Sequence, residues 1–139
     1  MTHREKGSLY LIPVPIDQNS KEPVLLEKHQ KIVRDLDYFI VENEKTARFY
    51  LSAFSLSKPI HQLNFEVLDK SLGQEEIKNF LVPLLKGFSV GLLSESGCPA
   101  VADPGAKIVA LAHQNNIKVI PMTGPSSILL ALMASGLNG

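Results

Sequence analysis

Residues 89–106 read SVGLLSESGCPAVADPGA, and the change of character inside this stretch decides the fold. Val90 to Leu93 is a short, unbroken apolar run, as expected of a strand buried on both faces of a parallel sheet. It passes straight into a loop of small residues, turn formers and two carboxylates. Asp103 followed by Pro104 is an N-cap and first-turn pair for a helix carrying Ile108, Leu111 and Ala112, which Asn115 and Asn116 close. A buried strand, a glycine- and serine-rich loop and a helix are one βα unit of an α/β protein.

The same alternation extends both ways. Towards the C-terminus, residues 117–121 read as another strand, and Thr123-Gly124-Pro125 opens a last helix with Ile128, Leu129, Leu132 and Met133 apolar. Towards the N-terminus, LYLIPVPI gives a first strand over residues 9–14, where Pro13 and Pro15 end its pairing early. Leu25, His29, Ile32, Val33 and Leu36 recur at helical spacing, with Pro23 placed in the first turn. Residues 38–41 form the second strand. Ala47, Tyr50, Leu51 and Phe54 mark an amphipathic helix, and residues 60–65 are the third strand. Ser71 with Gln74 resembles a capping box, followed by a helix bearing Ile77, Phe80, Leu81, Leu84 and Leu85 that Pro83 must kink or end. The order predicts a doubly wound α/β fold: a mostly parallel five-stranded sheet with helices on both faces, residues 1–139 making a single domain.

Composition narrows the chemistry. Lys plus Arg and Asp plus Glu are both 14 of 139 residues, so no global positive field holds nucleic acid non-specifically. Lys28, Lys31 and Arg34 share about one helical face and read as solvated surface. One cysteine excludes an internal disulfide, and the four histidines show no metal-ligand spacing, so no metal site is expected. No run reaches the roughly 18 apolar residues of a membrane span, and MTHREKGS carries no apolar segment behind its charges. A soluble, cytoplasmic protein is the expectation. There is no G-x-G-x-x-G after the first strand, no P-loop and no G-x-S-x-G, which argues against dehydrogenase, nucleotidase and serine-hydrolase chemistry.

Three strand-ending loops, at Pro13-Val14-Pro15, residues 94–99 and residues 123–127, are rich in Pro, Gly and hydroxyl residues. In an open parallel sheet they converge on one edge, either as a nucleotide-like pocket or as tight βα turns. Glu42, Glu44 and Glu95 follow strands on the same edge, where a carboxylate can face a cation or a ribose. Capping alone accounts for Asp103. Cys98 reads as a small polar space-filler rather than a reactive thiol, since nothing in the sequence sets a histidine beside it.

LYLIPVPI, IVENEK, GLLSESGCPAVADPG and VIPMTGPSSILLALMASGL together resemble the tetrapyrrole methylase superfamily, within it the ribosomal small-subunit methyltransferase I group, in order and spacing over nearly the whole chain. The resemblance implies an S-adenosylmethionine-dependent methyltransferase built of two α/β domains, of which this chain is the N-terminal one, with the cofactor in the cleft between them. It places Pro15, Ser94, Glu95, Gly97, Cys98, Pro99, Gly124, Pro125, Ser126 and Ser127 along the cofactor and substrate cleft, with Asp103 and Gly105 as supports of the loop. The implied acceptor is rRNA of the small ribosomal subunit, at the ribose 2'-oxygen of a cytidine; a base helps such a hydroxyl, and Glu42 and Glu95 are the candidates for it. The alternatives are a tetrapyrrole or other small acceptor and, in a different class, a non-catalytic domain that binds S-adenosylmethionine or a partner surface.

Two departures bear on the acceptor. After Ile16 the sequence is Asp17-Gln18-Asn19-Ser20-Lys21-Glu22 where the rRNA enzymes typically carry Gly-Asn-Leu-x-Asp-Ile, and their Glu-Asp-Thr-Arg is here Glu42-Asn43-Glu44-Lys45. The chain also stops at Gly139, where similar enzymes continue into the second domain, so a shortened piece of a longer protein is expected ahead of the alternative, a natural half-protein. Such a piece offers one wall of the cleft and binds the cofactor weakly. Leu129, Leu132 and Met133 are expected to pack against that second domain or a twin subunit in a homodimer. Gly97 is expected to give a ligand close access to the backbone, so that a Gly97→Val change blocks the cleft and leaves the fold intact.

Overall fold

Five strands form one sheet in the order β3-β2-β4-β1-β5, with every neighbouring pair parallel. They are β1 (Leu9–Ile12), β2 (Tyr38–Val41), β3 (Asn64–Val67), β4 (Val90–Leu93) and β5 (Val119–Pro121). Between them run helices α1 (Glu27–Arg34), α2 (Glu44–Leu51), α3 (Gln74–Asn79), α4 (Val82–Leu85) and α5 (Gly105–Gln114), and α6 (Ser127–Ser135) follows the last strand. These come from a computed structural model that describes residues 5–17, 19–20, 24–69, 71–100 and 105–137. The expected N-cap at Asp103, its partner Pro104 and the first-turn proline Pro23 lie outside the described residues.

The most apolar strand takes the centre. All four residues of β4 are buried, whereas the edge strand β3 has none buried and β5 none. Alternation along the central strands then divides the core into two layers, because successive side chains point to opposite faces. Ile12, Phe39, Val41 and Leu93 pack with Val33 of α1 and Ala47, Tyr50 and Leu51 of α2. Leu9, Ile40, Val90 and Leu92 pack on the other face with Ile77 of α3, Leu84 of α4, and Ile108 and Ala112 of α5. The doubly wound α/β fold read from the sequence is therefore the observed one.

Three local expectations are corrected. The third strand is residues 64–67, not 60–65: Pro59 fixes the entry to a 3-10 turn, Ile60–Gln62, in which Gln62 and Leu63 donate to the carbonyls of Pro59 and Ile60 at 2.9 and 3.0 Å. The fifth strand starts at Val119 because Asn116, at φ 56°, closes α5 and the Ile117 N–H turns back to the Ala112 carbonyl at 2.9 Å. The capping box at Ser71 does not form. Asp69 Oδ1 accepts the Ser71 N–H at 3.0 Å, and Gly73 becomes the N-cap of α3. Pro83 does break its helix, separating α3 from α4.

Candidate functional site

β1 and β2 feed α1 and α2 on one face of the sheet, while β4, lying between them, feeds α5 on the other. Loops that leave neighbouring strands towards opposite faces open a crevice beyond their carboxyl ends, where ligands of parallel α/β sheets bind. The first and second strand-ending loops meet there directly. Val14 and Gly97 exchange both main-chain hydrogen bonds as an antiparallel bridge, at 3.0 and 3.1 Å. Ser96 Oγ donates to the Ile16 carbonyl at 3.0 Å, and Ser94 Oγ lies 3.1 and 3.2 Å from the carbonyls of Ser96 and Gly97.

The third loop is clipped on by Cys98, whose thiol donates towards the carbonyls of Pro125 at 3.1 Å and Gly124 at 3.4 Å. Burial pushes the Cys98 thiol above its usual range, so it stays protonated and serves as a donor. The space-filler reading of this residue fits that geometry. Gly124 lies flat on Pro13: a side-chain carbon there would fall 2.1 Å from Pro13 Cβ.

Gly97 answers to a different constraint from the one expected. It is buried with φ at +70°, and a side-chain carbon would sit 3.0 Å from the Pro125 carbonyl oxygen rather than in an open cleft. The left-handed turn itself requires the glycine, so the expectation that Gly97→Val leaves the fold intact is withdrawn.

The remaining sequence candidates lie on the same edge. Pro15 and Pro99 are buried, Glu95, Gly124 and Pro125 are half-buried, and Ser127 is exposed. Ser126 is the N-cap of α6, its Oγ accepting the Leu129 N–H at 3.4 Å. Glu42 is brought to Glu95 from a position 53 residues away, its Oε2 accepting the Glu95 N–H at 3.0 Å. Glu44 is drawn elsewhere, into an ion pair with Arg48 at 3.4 Å. Asn43, one of the departures from the rRNA enzymes, caps α2 through the Thr46 N–H at 3.0 Å, a task Asn and Asp perform about equally.

Sequence reasoning missed Tyr50. Its spacing marks it as core, and it is 2% exposed, edge-on to Phe54 at 5.2 Å. Its hydroxyl lies by the Val24 main chain without reaching full hydrogen-bond geometry, and the residue lines a hollow shared with Thr46, Pro15, Ser94 and Glu95. The hollow has room for about one water. Burial pushes the phenol up to about 12, which keeps it a neutral donor.

These features define a class: a parallel α/β domain whose strand-ending loops gather at the carboxyl edge of the sheet and bring carbonyls, hydroxyls and carboxylates together there. Comparison with known proteins narrows the class. The chain is 30% identical over 133 residues to the ribosomal RNA small subunit methyltransferase I of Leptospira biflexa, covering 96% of this chain and 52% of that protein. It is 29% identical over 131 residues to the protein of the same name from Buchnera aphidicola, covering 94% and 44%, and 30% identical over 129 residues to that of Vibrio cholerae, covering 93% and 42%. No protein-family model matches the chain. The resemblance to the ribosomal small-subunit methyltransferase I group therefore holds along nearly the whole sequence. The chain spans about half the length of the curated relatives it matches. Among the described residues no helix is long and apolar enough to cross a membrane.

Proposed function

We propose that this chain is the cofactor-binding half of an S-adenosylmethionine-dependent methyltransferase acting on small-subunit rRNA, in the cytoplasm, at a ribose 2'-oxygen. One observation carries the reading: the segments that bear the resemblance, residues 94–99 and 124–127, are those that fold into the crevice beside β1. The lining groups suit the cofactor. Main-chain carbonyls and serine hydroxyls suit its ribose and amino-acid groups, and the carboxylate of Glu95 suits a cationic sulfonium.

When bound, S-adenosylmethionine supplies a methyl group activated by the positive sulfur. The protein then has to hold an acceptor oxygen in line with the carbon–sulfur bond at near-attack distance, which is positioning more than covalent chemistry. Pro15, Ser94, Gly97, Cys98 and Pro99, with Gly124, Pro125, Ser126 and Ser127, form the wall that does so. A hydroxyl acceptor has to give up its proton on methylation, and Glu95 would be the carboxylate that receives it. In the whole protein the apolar side chains of α6 are covered by a second domain or a twin subunit. Leu129 and Met133 are 59% and 78% exposed here. The test is transfer of labelled methyl groups from S-adenosylmethionine by the full-length protein to small ribosomal subunits lacking the modification. Label in the rRNA supports the reading, and label confined to tetrapyrroles or absent altogether rejects it.

A further inference from the structure

The ladder between β2 and β4 runs from Tyr38 opposite Val90 to Val41 opposite Leu93, and there it stops. One residue further along β2 stands Glu42, and two further along β4 stands Glu95. The Glu42 side chain takes over where the backbone ladder ends, with Oε2 accepting the Glu95 main-chain N–H at 3.0 Å. Residues 94–99 are thus tied from three strands. Glu42 holds Glu95 from β2, Val14 holds Gly97 from the end of β1, and the carbonyls of Gly124 and Pro125, beyond β5, hold Cys98.

Of these ties, the Glu42 tie rests on an ionisable side chain rather than on backbone or a neutral thiol. Hydrogen bonds to charged acceptors are roughly twice as strong as neutral ones. Removing the acceptor leaves a half-buried N–H to be resatisfied by movement of the loop. We propose that Glu42 is a positioning residue and not the base: its carboxylate fixes the main chain of Glu95 and so sets where the loop presents its groups. The inference deepens the methyltransferase reading and rests on it only for the identity of the ligand.

Glu42→Gln and Glu42→Ala separate the two roles, because a glutamine oxygen still accepts an N–H whereas it cannot take up a proton as a base. In this chain, amide hydrogen exchange at Glu95 is expected to stay near wild type in Glu42→Gln and to rise at least about ten-fold in Glu42→Ala. Unchanged exchange in Glu42→Ala overturns the proposal. Binding of S-adenosylhomocysteine, followed by amide shifts, is expected to weaken about ten-fold in Glu42→Ala and less than about three-fold in Glu42→Gln. Equal weakening in both variants overturns it. In the full-length protein Glu42→Gln should keep kcat within about three-fold, whereas loss of a general base costs roughly 10² to 10⁴, and such a loss also overturns it. If wild-type chain and full-length protein bind no S-adenosylhomocysteine, the cofactor reading falls while the exchange comparison still decides whether Glu42 sets the loop.

Discussion

Replacing Gly97 with alanine tests how the crevice loop is built. At φ +70° an L-residue brings Cβ too close to its own carbonyl, at a cost of roughly 1–2 kcal/mol. The new carbon also sits 3.0 Å from the Pro125 carbonyl oxygen, the same oxygen that accepts the Cys98 thiol at 3.1 Å. Crowding a packed contact of this kind adds about 1 kcal/mol or more, against about 0.4–1 kcal/mol recovered from a stiffer unfolded chain. A net loss of about 2 kcal/mol follows for Gly97→Ala, and a larger one for the β-branched Gly97→Val. With an unfolding entropy of about 2.1 cal/mol/K per residue, 2 kcal/mol lowers the melting temperature of a domain this size by about 7 °C. Gly97→Asn, which tolerates the left-handed region better, should recover about half of that. Thermal unfolding by circular dichroism reads all three variants. A melting temperature for Gly97→Ala within about 1 °C of wild type would refute the reasoning, since neither the dihedral nor the Pro125 contact would then be felt.

Two further outcomes follow from titratable groups. Because burial raises the Cys98 thiol, the folded chain near neutral pH should react with iodoacetamide more slowly than the same chain unfolded in guanidinium. Faster reaction when folded would point to an activated thiolate and against the clip. Tyr50 has its phenol raised from 10.0 to about 12 by burial, so the stability tied to the neutral phenol is fully present below its unfolded value and is lost as pH climbs through that window. Melting temperature should fall between roughly pH 10 and 12 in wild type and fall less in Tyr50→Phe. Identical pH profiles would contradict the assignment.

The centre of the fold was legible because burial is strongest there. A strand covered on both faces must be apolar throughout, and residues 90–93 and 38–41 are placed by that alone. The edges were less legible. Asn64–Val67 carries Asn64 and Glu66 beside the half-buried Phe65, which stacks on Phe39 at 5.6 Å, so its pattern is weaker than that of the apolar Ile60 and Leu63 just before it. Ile117 looks like the first residue of a strand but is spent on closing α5.

At the site, loop composition was enough to bring residues 13–15, 94–99 and 123–127 to one edge. The partnership of Glu42 with Glu95 spans 53 positions and leaves no local signature. Tyr50 hides inside a helical apolar pattern, where a phenol reads like any other core residue. The glycine at position 97 was visible, but its dihedral was not, and the dihedral decides what the glycine is for.

The most direct test of the central claim is an amide-shift titration of this chain with S-adenosylhomocysteine. The chain spans about half the length of its relatives, so the titration runs into the millimolar range, where free energies of only about 4–5 kcal/mol are still read. Saturable shifts are expected at Val14, Glu95, Gly97, Cys98, Gly124 and Ser126, with α3 and α4 on the opposite layer unmoved. No saturable shift at these amides, or shifts centred on residues 74–85, would contradict the placement of the cofactor at the carboxyl edge of β1 and β4.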